Sequence, residues 1–316
     1  MYTHSIPRTP LIFVPGLFGS MSNVIIPGTG GWSFGVAGIY YEPFVRSLES
    51  MGYVLNQTLF IAFYDWRQRI PVSARMYLTQ TIKKAKQKTG ASKVNLICHS
   101  MGGLEARAYV QSAYYQDDVD QLIQLCTPNA GSPVYYGYWT GETVEHQTDN
   151  HVNVVYLYMK WYLDYLGQLY PTNRLWAVHT FFPSLLDVVP CEAFGDYLLV
   201  AGLGPMRFIT YEMMQVKNSF LDELDAHRHV ITSRNIDVTI IAGIEQKTIQ
   251  YLRTIQGVEV NYLTSGAVWS PVSSYTGDGN VIVDSAFALD GDKYLIDGDH
   301  MQVLFKSYEL LRKKLT

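Results

Sequence analysis

The sequence predicts an α/β fold in which a mostly parallel sheet is covered by helices on both faces. Short, continuously apolar segments alternate with amphipathic helical segments up to about residue 128, and this alternation resumes near residue 235. Continuously apolar strands are typical of parallel sheets buried on both faces. At 316 residues the chain is long enough for one such domain with an insertion. We therefore expect a core of residues 1–128 and 235–316, with 129–234 inserted as a cap or lid.

Each predicted element has its own local signal. Turn residues such as Pro15-Gly16 and Thr127-Pro128 end apolar runs, Pro71 suits the first turn of a helix, and Gly52 and Gly90 suit helix C-termini. The predicted strands are Pro10–Val14, Leu59–Phe63, Val94–Ile97, Leu122–Cys126, Asp237–Ala242 and Lys293–Ile296. The predicted helices are Tyr41–Met51, 71–89, 104–113, Val154–Leu169 and Gln302–Lys314.

Composition excludes several classes of protein. A net charge of −4, without a block of Lys or Arg, argues against a nucleic-acid partner. Three cysteines cannot form a disulfide framework, and Cys98 and Cys126 at the ends of buried strands behave as small hydrophobic residues. The chain shows no signal-peptide pattern and no apolar run of roughly 18 residues, so we expect a soluble, cytoplasmic rather than secreted protein.

The segment Cys98-His99-Ser100-Met101-Gly102-Gly103 lies between an apolar strand and a helix. A strand, a sharp turn with Ser at its apex and a helix together form a nucleophile elbow, in which the residues two before and two after the Ser must be small. Gly102 satisfies this requirement, and Cys98 is a small residue where Gly is usual. The segment predicts that Ser100 is a nucleophile.

A serine nucleophile needs a general base and an acid that orients the base, both in loops at the carboxyl ends of strands. His300 is the histidine that follows a late strand and precedes a helix. His99 adjoins Ser100, but its side chain is expected to point away from the site where the oxyanion forms. His227 and His229 form an H-x-H pattern without a third metal ligand at sensible spacing, so no metal is expected. His146 and His151 lie in the insertion and receive no role.

Asp278 is the candidate acid, because glycines on both sides of it let the backbone place the carboxylate at a loop tip. Gly277-Asp278-Gly279 is also compatible with an ordinary turn. The chain order Ser, Asp, His is the order that accompanies this type of elbow. The competing acids are Asp284, Asp297 and Asp299. The backbone N–H groups of Leu17 and Met101 are the candidates for stabilising an oxyanion.

Val14-Pro15-Gly16-Leu17, the elbow, Gly277-Asp278-Gly279 and His300 resemble an α/β-hydrolase lipase. Three stretches resemble the lecithin:cholesterol acyltransferase-like family in particular: Tyr64-Asp65-Trp66-Arg67, the segment from Phe182-Pro183-Ser184-Leu185 to Val189-Pro190, and Gly277-Asp278-Gly279-Asn280-Val281. The resemblance implies lipid-ester substrates, a Ser100-Asp278-His300 triad and a lid over an acyl pocket. The chain departs from the family at Cys98, at Asn280 where Thr or Ser is usual, and in lacking the disulfides of secreted members.

The insertion is rich in side chains that join an apolar body to a polar tip, which suits a surface alternating between water and lipid. The aromatic residues in question are Tyr135, Tyr136, Tyr138, Trp139, Tyr156, Tyr158, Trp161, Tyr162, Tyr165 and Tyr170. Packing within the insertion explains them equally well. Phe18, Trp66 and Tyr135 are the candidate substrate-binding residues.

The sequence therefore predicts a serine lipase or esterase that acts on lipid or other esters through an acyl-enzyme and contacts a membrane or micelle surface transiently. No cofactor and no metal are expected. A lipid acyltransferase is the nearer alternative, because it differs only in passing the acyl group to an alcohol instead of water. A non-catalytic binding protein on a hydrolase fold is the more distant alternative.

Overall fold

The computed structural model describes residues 9–142, 144, 153–200, 207–254 and 269–315. His146 and His151 lie outside these ranges. The strands are β1 Leu11–Val14, β2 Leu59–Ile61, β3 Val94–His99, β4 Val119–Leu125, β5 Leu198–Val200, β6 Arg207–Ile209, β7 Asp237–Ile244, β8 Gln246–Thr254, β9 Trp269–Gly277 and β10 Asp292–Asp297.

The α-helices are α1 Gly38–Ser50, α2 Ile70–Ser73, α3 Thr79–Thr89, α4 Met101–Val110, α5 Pro133–Trp139, α6 Val154–Leu169, α7 Arg174–Phe181, α8 Ser219–Ala226, α9 His229–Ser233, α10 Val283–Ala286, α11 Gln302–Lys306 and α12 Tyr308–Leu315. Ala74–Leu78 is a π-helical turn that joins α2 to α3. Short 3-10 helices lie at Gly35–Ala37, Pro183–Asp187, Glu192–Phe194 and Tyr211–Met213. None of the helices in the ranges given above is both long and apolar enough to cross a membrane.

A six-stranded sheet in the order β10-β7-β4-β3-β1-β2 forms the centre of the molecule, and every neighbouring pair in it is parallel. Alternate residues of one strand enter different cores. Leu11 and Phe13 pack with α1, α11 and α12 on one face, whereas Ile12 and Val14 pack with α3 and α4 on the other. The predicted α/β class, with a parallel sheet covered on both faces, is confirmed.

Several predicted elements differ in their bounds. The strand predicted at Leu122–Cys126 lies at Val119–Leu125, and the helix predicted at 104–113 lies at Met101–Val110. The second strand ends at Ile61, two residues earlier than expected, and the last predicted helix is divided at Ser307 into α11 and α12. The backbone N–H of Ser307 donates to the Val303 carbonyl, and the N–H of Leu311 donates to the Ser307 carbonyl. The two helices therefore follow each other almost without interruption, and the amphipathic pattern describes them as one.

A second sheet in the order β6-β5-β8-β9 was not predicted from the sequence. β5 and β6 are three residues each and lie within the predicted insertion, whereas β8 and β9 follow residue 235. β8 pairs parallel to β5 and antiparallel to β9. The sheet thus contains strands from both sides of the predicted boundary at residue 234. Strands as short as β5 and β6 give little periodic signal in the sequence, because only one or two of their side chains point to each face.

Helix α4, which begins directly after Ser100, carries a buried carboxyl group. Both oxygens of Glu105 are buried, and no hydrogen bond of normal geometry reaches them within the described part of the chain. The Ser73 hydroxyl is the polar group that favours the charged form, but burial outweighs it and raises the pKa of Glu105 well above its usual value. Burial therefore favours the neutral form of Glu105 in the folded protein.

The unfolded chain ionises this group near its ordinary pKa of about 4.3, so the contribution to stability is fully present below that pH and is lost as the pH rises toward the folded-state pKa. We expect Glu105→Gln to raise the midpoint of thermal unfolding relative to wild type at about pH 8 more than at about pH 5, because Gln never ionises. Circular dichroism melts across this range measure the effect. Glu223→Gln, at an exposed position on α8, is the control. Parallel curves of midpoint against pH for wild type and Glu105→Gln would contradict the prediction.

Candidate active site

Ser100 lies between β3 and α4 in a backbone conformation that non-glycine residues rarely adopt, with φ of 54° and ψ of −130°. The strain is held by hydrogen bonds on both sides: the Ser100 N–H donates to the Leu125 carbonyl at 2.8 Å, and its carbonyl accepts from Gly103 N–H at 3.0 Å. Such outliers persist only where the surroundings determine them. This geometry places the Ser100 side chain at the apex of the predicted sharp turn.

Close approach of the neighbouring loops explains the small residues around the turn. A Cβ added to Gly16 would lie 2.8 Å from the Cβ of Ser100, and one added to Gly102 would overlap the backbone carbonyl of Val14. The Pro15-Gly16-Leu17 turn after β1 therefore packs directly against the elbow. Cys98 is completely buried at the end of β3, in agreement with its interpretation as a tolerated small residue.

The structure brings Asp278 and His300 together. His300 Nδ1 lies 2.8 Å from Asp278 Oδ2, and both side chains are buried. A carboxylate only accepts, so Nδ1 carries the proton and Nε2 of the neutral ring is unprotonated. The His300 backbone N–H also donates to the Asp278 carbonyl at 2.9 Å. Asp278 thus fixes both the orientation and the tautomer of His300.

The Asp278 carboxylate is stabilised as an anion despite its burial. Oδ1 accepts the backbone N–H groups of Asn280 and Val281, each at 2.8 Å. Burial pushes the pKa of Asp278 upward, but the charge and hydrogen bond of His300 and these two amides outweigh it, so the pKa lies below its usual value. Asn280, which departs from the family pattern, contributes through its backbone, and its substitution for Thr or Ser leaves the carboxylate's hydrogen bonds in place.

The competing residues make other contacts. Asp284 and Asp297 are exposed, and Asp299 accepts the N–H groups of Met301 and Gln302 at the start of α11. His227 is exposed and its Nδ1 donates to the Glu223 carbonyl. Of the four acids that the sequence offered, Asp278 is the one bonded to His300.

Cys126 reaches the same cluster, which sequence reasoning missed. Its Sγ lies within 4.8 Å of the ligand atoms of Asp278 and His300. Burial, followed by the charge of Asp278, raises the pKa of the Cys126 thiol well above its usual value. Cys126 therefore packs beside the Asp278–His300 pair as a buried thiol.

His99 takes part in a buried hydrogen-bond chain with Tyr41, which was also missed. The Gly16 N–H donates to Tyr41 Oη at 3.0 Å, and Tyr41 Oη lies 2.8 Å from His99 Nδ1. His99 Nε2 lies 2.9 Å from the His300 carbonyl, which only accepts, so Nε2 carries the proton and Tyr41 donates to Nδ1. Burial and then the neighbouring His300 lower the pKa of His99 to about 3. This chain of neutral groups ties the turn after β1 to the loop that carries His300.

The predicted oxyanion donors lie beside Ser100. Leu17 lines a small cavity of about 20 Å³ together with Ser100 and His300. Met101 is the first residue of α4, where the helix dipole favours negative charge. Neither the Leu17 nor the Met101 backbone N–H is engaged in a hydrogen bond within the part of the chain that the structure describes.

The segment Tyr64-Asp65-Trp66-Arg67 holds the loop after β1 in place through side-chain hydrogen bonds. The Tyr64 hydroxyl donates to the Pro15 carbonyl at 2.9 Å, and the Trp66 indole N–H donates to the Ser20 carbonyl at 2.8 Å. Arg67 pairs with Asp65 at 2.8 Å and donates to the Val24 carbonyl. The motif therefore holds the backbone that carries Leu17.

The three candidate substrate-binding residues are all buried. Phe18 and Trp66 pack edge to face with ring centroids 4.6 Å apart, in an aromatic cluster with Tyr162 and Phe182. Tyr135 packs edge to face on Tyr138. None of the three lines the cavity beside Ser100. Their role in substrate binding stays a prediction.

A parallel sheet, a strand-turn-helix elbow and late loops that carry an acid and a histidine define the α/β-hydrolase fold. The mature lipase BlEst2 of Bacillus licheniformis shares it, with a TM-score of 0.52 and 14% identity over 100% of this chain and 95% of its own. A chain of the Tle4-Tli4 complex matches with a TM-score of 0.51 and 11% identity over 97% of both chains.

Residues 34–148 match the family model of lecithin:cholesterol acyltransferase. Phospholipase A(1) LCAT3 of Arabidopsis thaliana is 30% identical over 97 residues, and lecithin-cholesterol acyltransferase-like 4 of the same plant is 26% identical over 99 residues. The aligned stretches cover 30% of this chain but 22% and 18% of these relatives, so the match spans about a fifth of their length. The predicted resemblance to the lecithin:cholesterol acyltransferase-like family is confirmed over this part of the chain.

The hydrogen-bond chain through Tyr41 and His99 leads us to expect that loss of the Tyr41 hydroxyl slows turnover. Tyr41→Phe leaves the Gly16 N–H and His99 Nδ1 without their partner, and so loosens both the turn after β1 and the His300 loop. We expect kcat for ester hydrolysis to fall about tenfold with KM changed less than about twofold, since misplaced groups weaken the transition state more than substrate binding.

Tyr109→Phe is the matched control, because it removes another tyrosine hydroxyl bond, to Asp118, away from the site. Steady-state kinetics of both variants measure the effect on turnover, and thermal unfolding measures the effect on stability. Together they distinguish a positioning role of Tyr41 from a loss of stability. Equal kcat values for Tyr41→Phe and Tyr109→Phe would contradict a positioning role for Tyr41.

Proposed function

We propose that this protein is a serine lipase or esterase that hydrolyses lipid esters through Ser100, Asp278 and His300. The observation that carries the proposal is the buried Asp278–His300 hydrogen bond of 2.8 Å, with His300 and the strained Ser100 lining one cavity. A serine hydroxyl gains its reactivity from a base that is itself oriented by an acid. The chain's lecithin:cholesterol acyltransferase-like character supports the same chemistry.

In the proposed mechanism, His300 Nε2 accepts the proton of the Ser100 hydroxyl as the oxygen attacks the ester carbonyl. The N–H groups of Leu17 and Met101 stabilise the oxyanion, and Asp278 stabilises the imidazolium. The bond to the alcohol then breaks, and the alcohol oxygen takes the proton from His300. Water attacks the acyl-enzyme with the same base, releasing the acid and restoring Ser100.

Removal of the nucleophile tests the assignment. We expect Ser100→Ala to lower kcat for p-nitrophenyl butanoate by about 10³-fold or more, because a triad without its nucleophile keeps only residual catalysis. A fluorophosphonate should label wild type at Ser100, as peptide mass spectrometry reveals, and should leave Ser100→Ala unlabelled. Ser112→Ala is the control, since Ser112 follows the C-terminal end of α4 and its hydroxyl donates to the Tyr109 carbonyl. Undiminished turnover by Ser100→Ala would contradict the assignment of Ser100 as the nucleophile.

Transfer of the acyl group to an alcohol is the second candidate function, favoured by the match to acyltransferase-like relatives. The two activities share every step up to the acyl-enzyme and differ in what attacks it. Labelled lipid incubated with a candidate alcohol acceptor separates them: a labelled free acid indicates hydrolysis, and a labelled new ester indicates transfer.

In this proposal residues 129–234 form the cap over the core of 1–128 and 235–316, and α6 is its lid. Val154, Val155 and Tyr158 on α6 line the cavity beside Ser100. Along the same helix, Leu157, Trp161, Tyr165 and Leu169 are exposed at spacings of four residues. An outward row of large apolar and aromatic side chains suits contact with a lipid surface.

The outward row of α6 gives a test of lipid contact. Replacing both Leu157 and Trp161 by Ser should weaken binding to neutral phosphatidylcholine vesicles at least about tenfold, because each large apolar side chain gains about 1.5–3 kcal/mol on leaving water. Wild-type activity should also rise when a short-chain ester exceeds its solubility limit. Val72→Ser, at an exposed apolar position on α2, is the control. Equal vesicle binding by the double variant, or smooth saturation through the solubility limit, would contradict the lid role.

A further inference from the structure

Cys126, the residue that directly follows β4, has a backbone conformation that favours glycine. Its φ is 54°, the same value as at Ser100 in the elbow. The Cys126 N–H donates to the Ile241 carbonyl at 2.8 Å, and the carbonyl of the preceding Leu125 accepts the N–H of Ser100. Glycine adopts a positive φ without the steric cost that a side chain brings. A side chain kept in such a conformation points to a role for that side chain.

The Cys126 side chain is completely buried beside the acid of the site. Its Sγ, a carboxylate oxygen of Asp278 and a ring nitrogen of His300 all lie within 4.8 Å of one another. Asp278 also packs closely on β7, because a Cβ added to Gly243 would lie 2.6 Å from the Asp278 Cβ. The acid therefore lies against the ends of two neighbouring strands, and the thiol at the end of β4 is one of its nearest polar neighbours.

The Asp278 carboxylate can accept one more hydrogen bond than the backbone and His300 supply. A carboxylate offers about four lone-pair positions on its two oxygens. In the described ranges, Oδ1 accepts the N–H groups of Asn280 and Val281, and Oδ2 accepts Nδ1–H of His300. The unused position is therefore on Oδ2. Burial, then the charge of Asp278 and a hydrogen bond to it, raise the pKa of the Cys126 thiol well above its usual value. This favours the protonated thiol, which is a donor.

We propose that Cys126 is a positioning residue whose thiol donates to Asp278 Oδ2 and fixes the rotation of the carboxylate toward His300. The proposal rests on the proposed triad. The two backbone amides hold Oδ1 alone, so a donor on Oδ2 restrains rotation about the bond that joins the carboxyl group to Cβ. A carboxylate held at both oxygens keeps the imidazole in the orientation and tautomer that accept the proton of Ser100. The thiol keeps its own proton and forms no bond to the ester.

Two substitutions at Cys126 separate hydrogen bonding from packing. Cys126→Ser keeps a donor, Cys126→Ala removes it, and both new side chains are smaller than Cys. We expect kcat for p-nitrophenyl butanoate to fall about tenfold in Cys126→Ala with KM changed less than about twofold, because a misplaced base weakens the transition state more than substrate binding. Cys126→Ser should keep kcat within about threefold of wild type. A thiol that only fills space predicts that Ser is no better than Ala, because burying an unpaired hydroxyl is unfavourable.

Cys191→Ser and Cys191→Ala are the controls, because Cys191 is equally buried and is not a member of the Cys126–Asp278–His300 cluster. Both should turn over the ester as wild type does. The rate at which a fluorophosphonate labels Ser100 is a second readout, and it should be about tenfold slower in Cys126→Ala and restored in Cys126→Ser. If Cys126→Ala fails to fold, Cys126→Gly replaces it, since glycine suits a φ of 54°.

Equal kcat values for the Ala and Ser variants of Cys126, or a lower value for Ser, would overturn the positioning role. Failure of the triad has a different signature, because wild type itself would then neither hydrolyse p-nitrophenyl butanoate nor be labelled at Ser100. Labelled, active wild type together with an unimpaired Cys126→Ala would leave the triad in place and overturn the role of Cys126 alone.

Discussion

The strained backbone at Ser100 is the constraint on which the rest of the site depends. A positive φ at this residue is held because β3, α4 and the turn after β1 pack so closely that Gly16 and Gly102 leave no room for a side chain. Strain of this kind costs about 1–3 kcal/mol and persists only where surrounding contacts fix it. The buried aromatic and ionic contacts that support the turn therefore help to fix the position of the Ser100 hydroxyl group.

Those contacts are shared among segments that are far apart in the chain. Tyr64 and Trp66 hold the loop after β1, and the Ser184 hydroxyl donates to the Trp66 carbonyl at 2.6 Å. The stretches Tyr64-Asp65-Trp66-Arg67 and Phe182-Pro183-Ser184-Leu185, which carried part of the family resemblance, thus hold the backbone around the site. Tyr64, Trp66 and Ser184 are buried, so they act by fixing the position of that backbone.

Helix α6 contacts the same network. Its N-terminal Asn153 bonds the Asp278 loop, residues of its first turns line the cavity at Ser100, and a row of its large apolar and aromatic side chains is exposed to solvent. In the proposed function, a displacement of α6 would therefore change both access to the cavity and the support of the Asp278 loop.

The sequence by itself determined the parallel sheet, the bounds of α6 and the identities of Ser100, Asp278 and His300 as candidates, because apolar periodicity, turn glycines and chain order are local signals. The second sheet was not predicted, because β5 and β6 are only three residues each and the sheet pairs strands from both sides of the predicted boundary at residue 234. Only the tertiary structure decided that His99 and Tyr41 tie two loops together, that Cys126 lies beside Asp278, and that Trp66 is fully buried. These arrangements depend on contacts between side chains that are far apart in the sequence. The spacing of residues along the chain does not predict which of those side chains will be close in space.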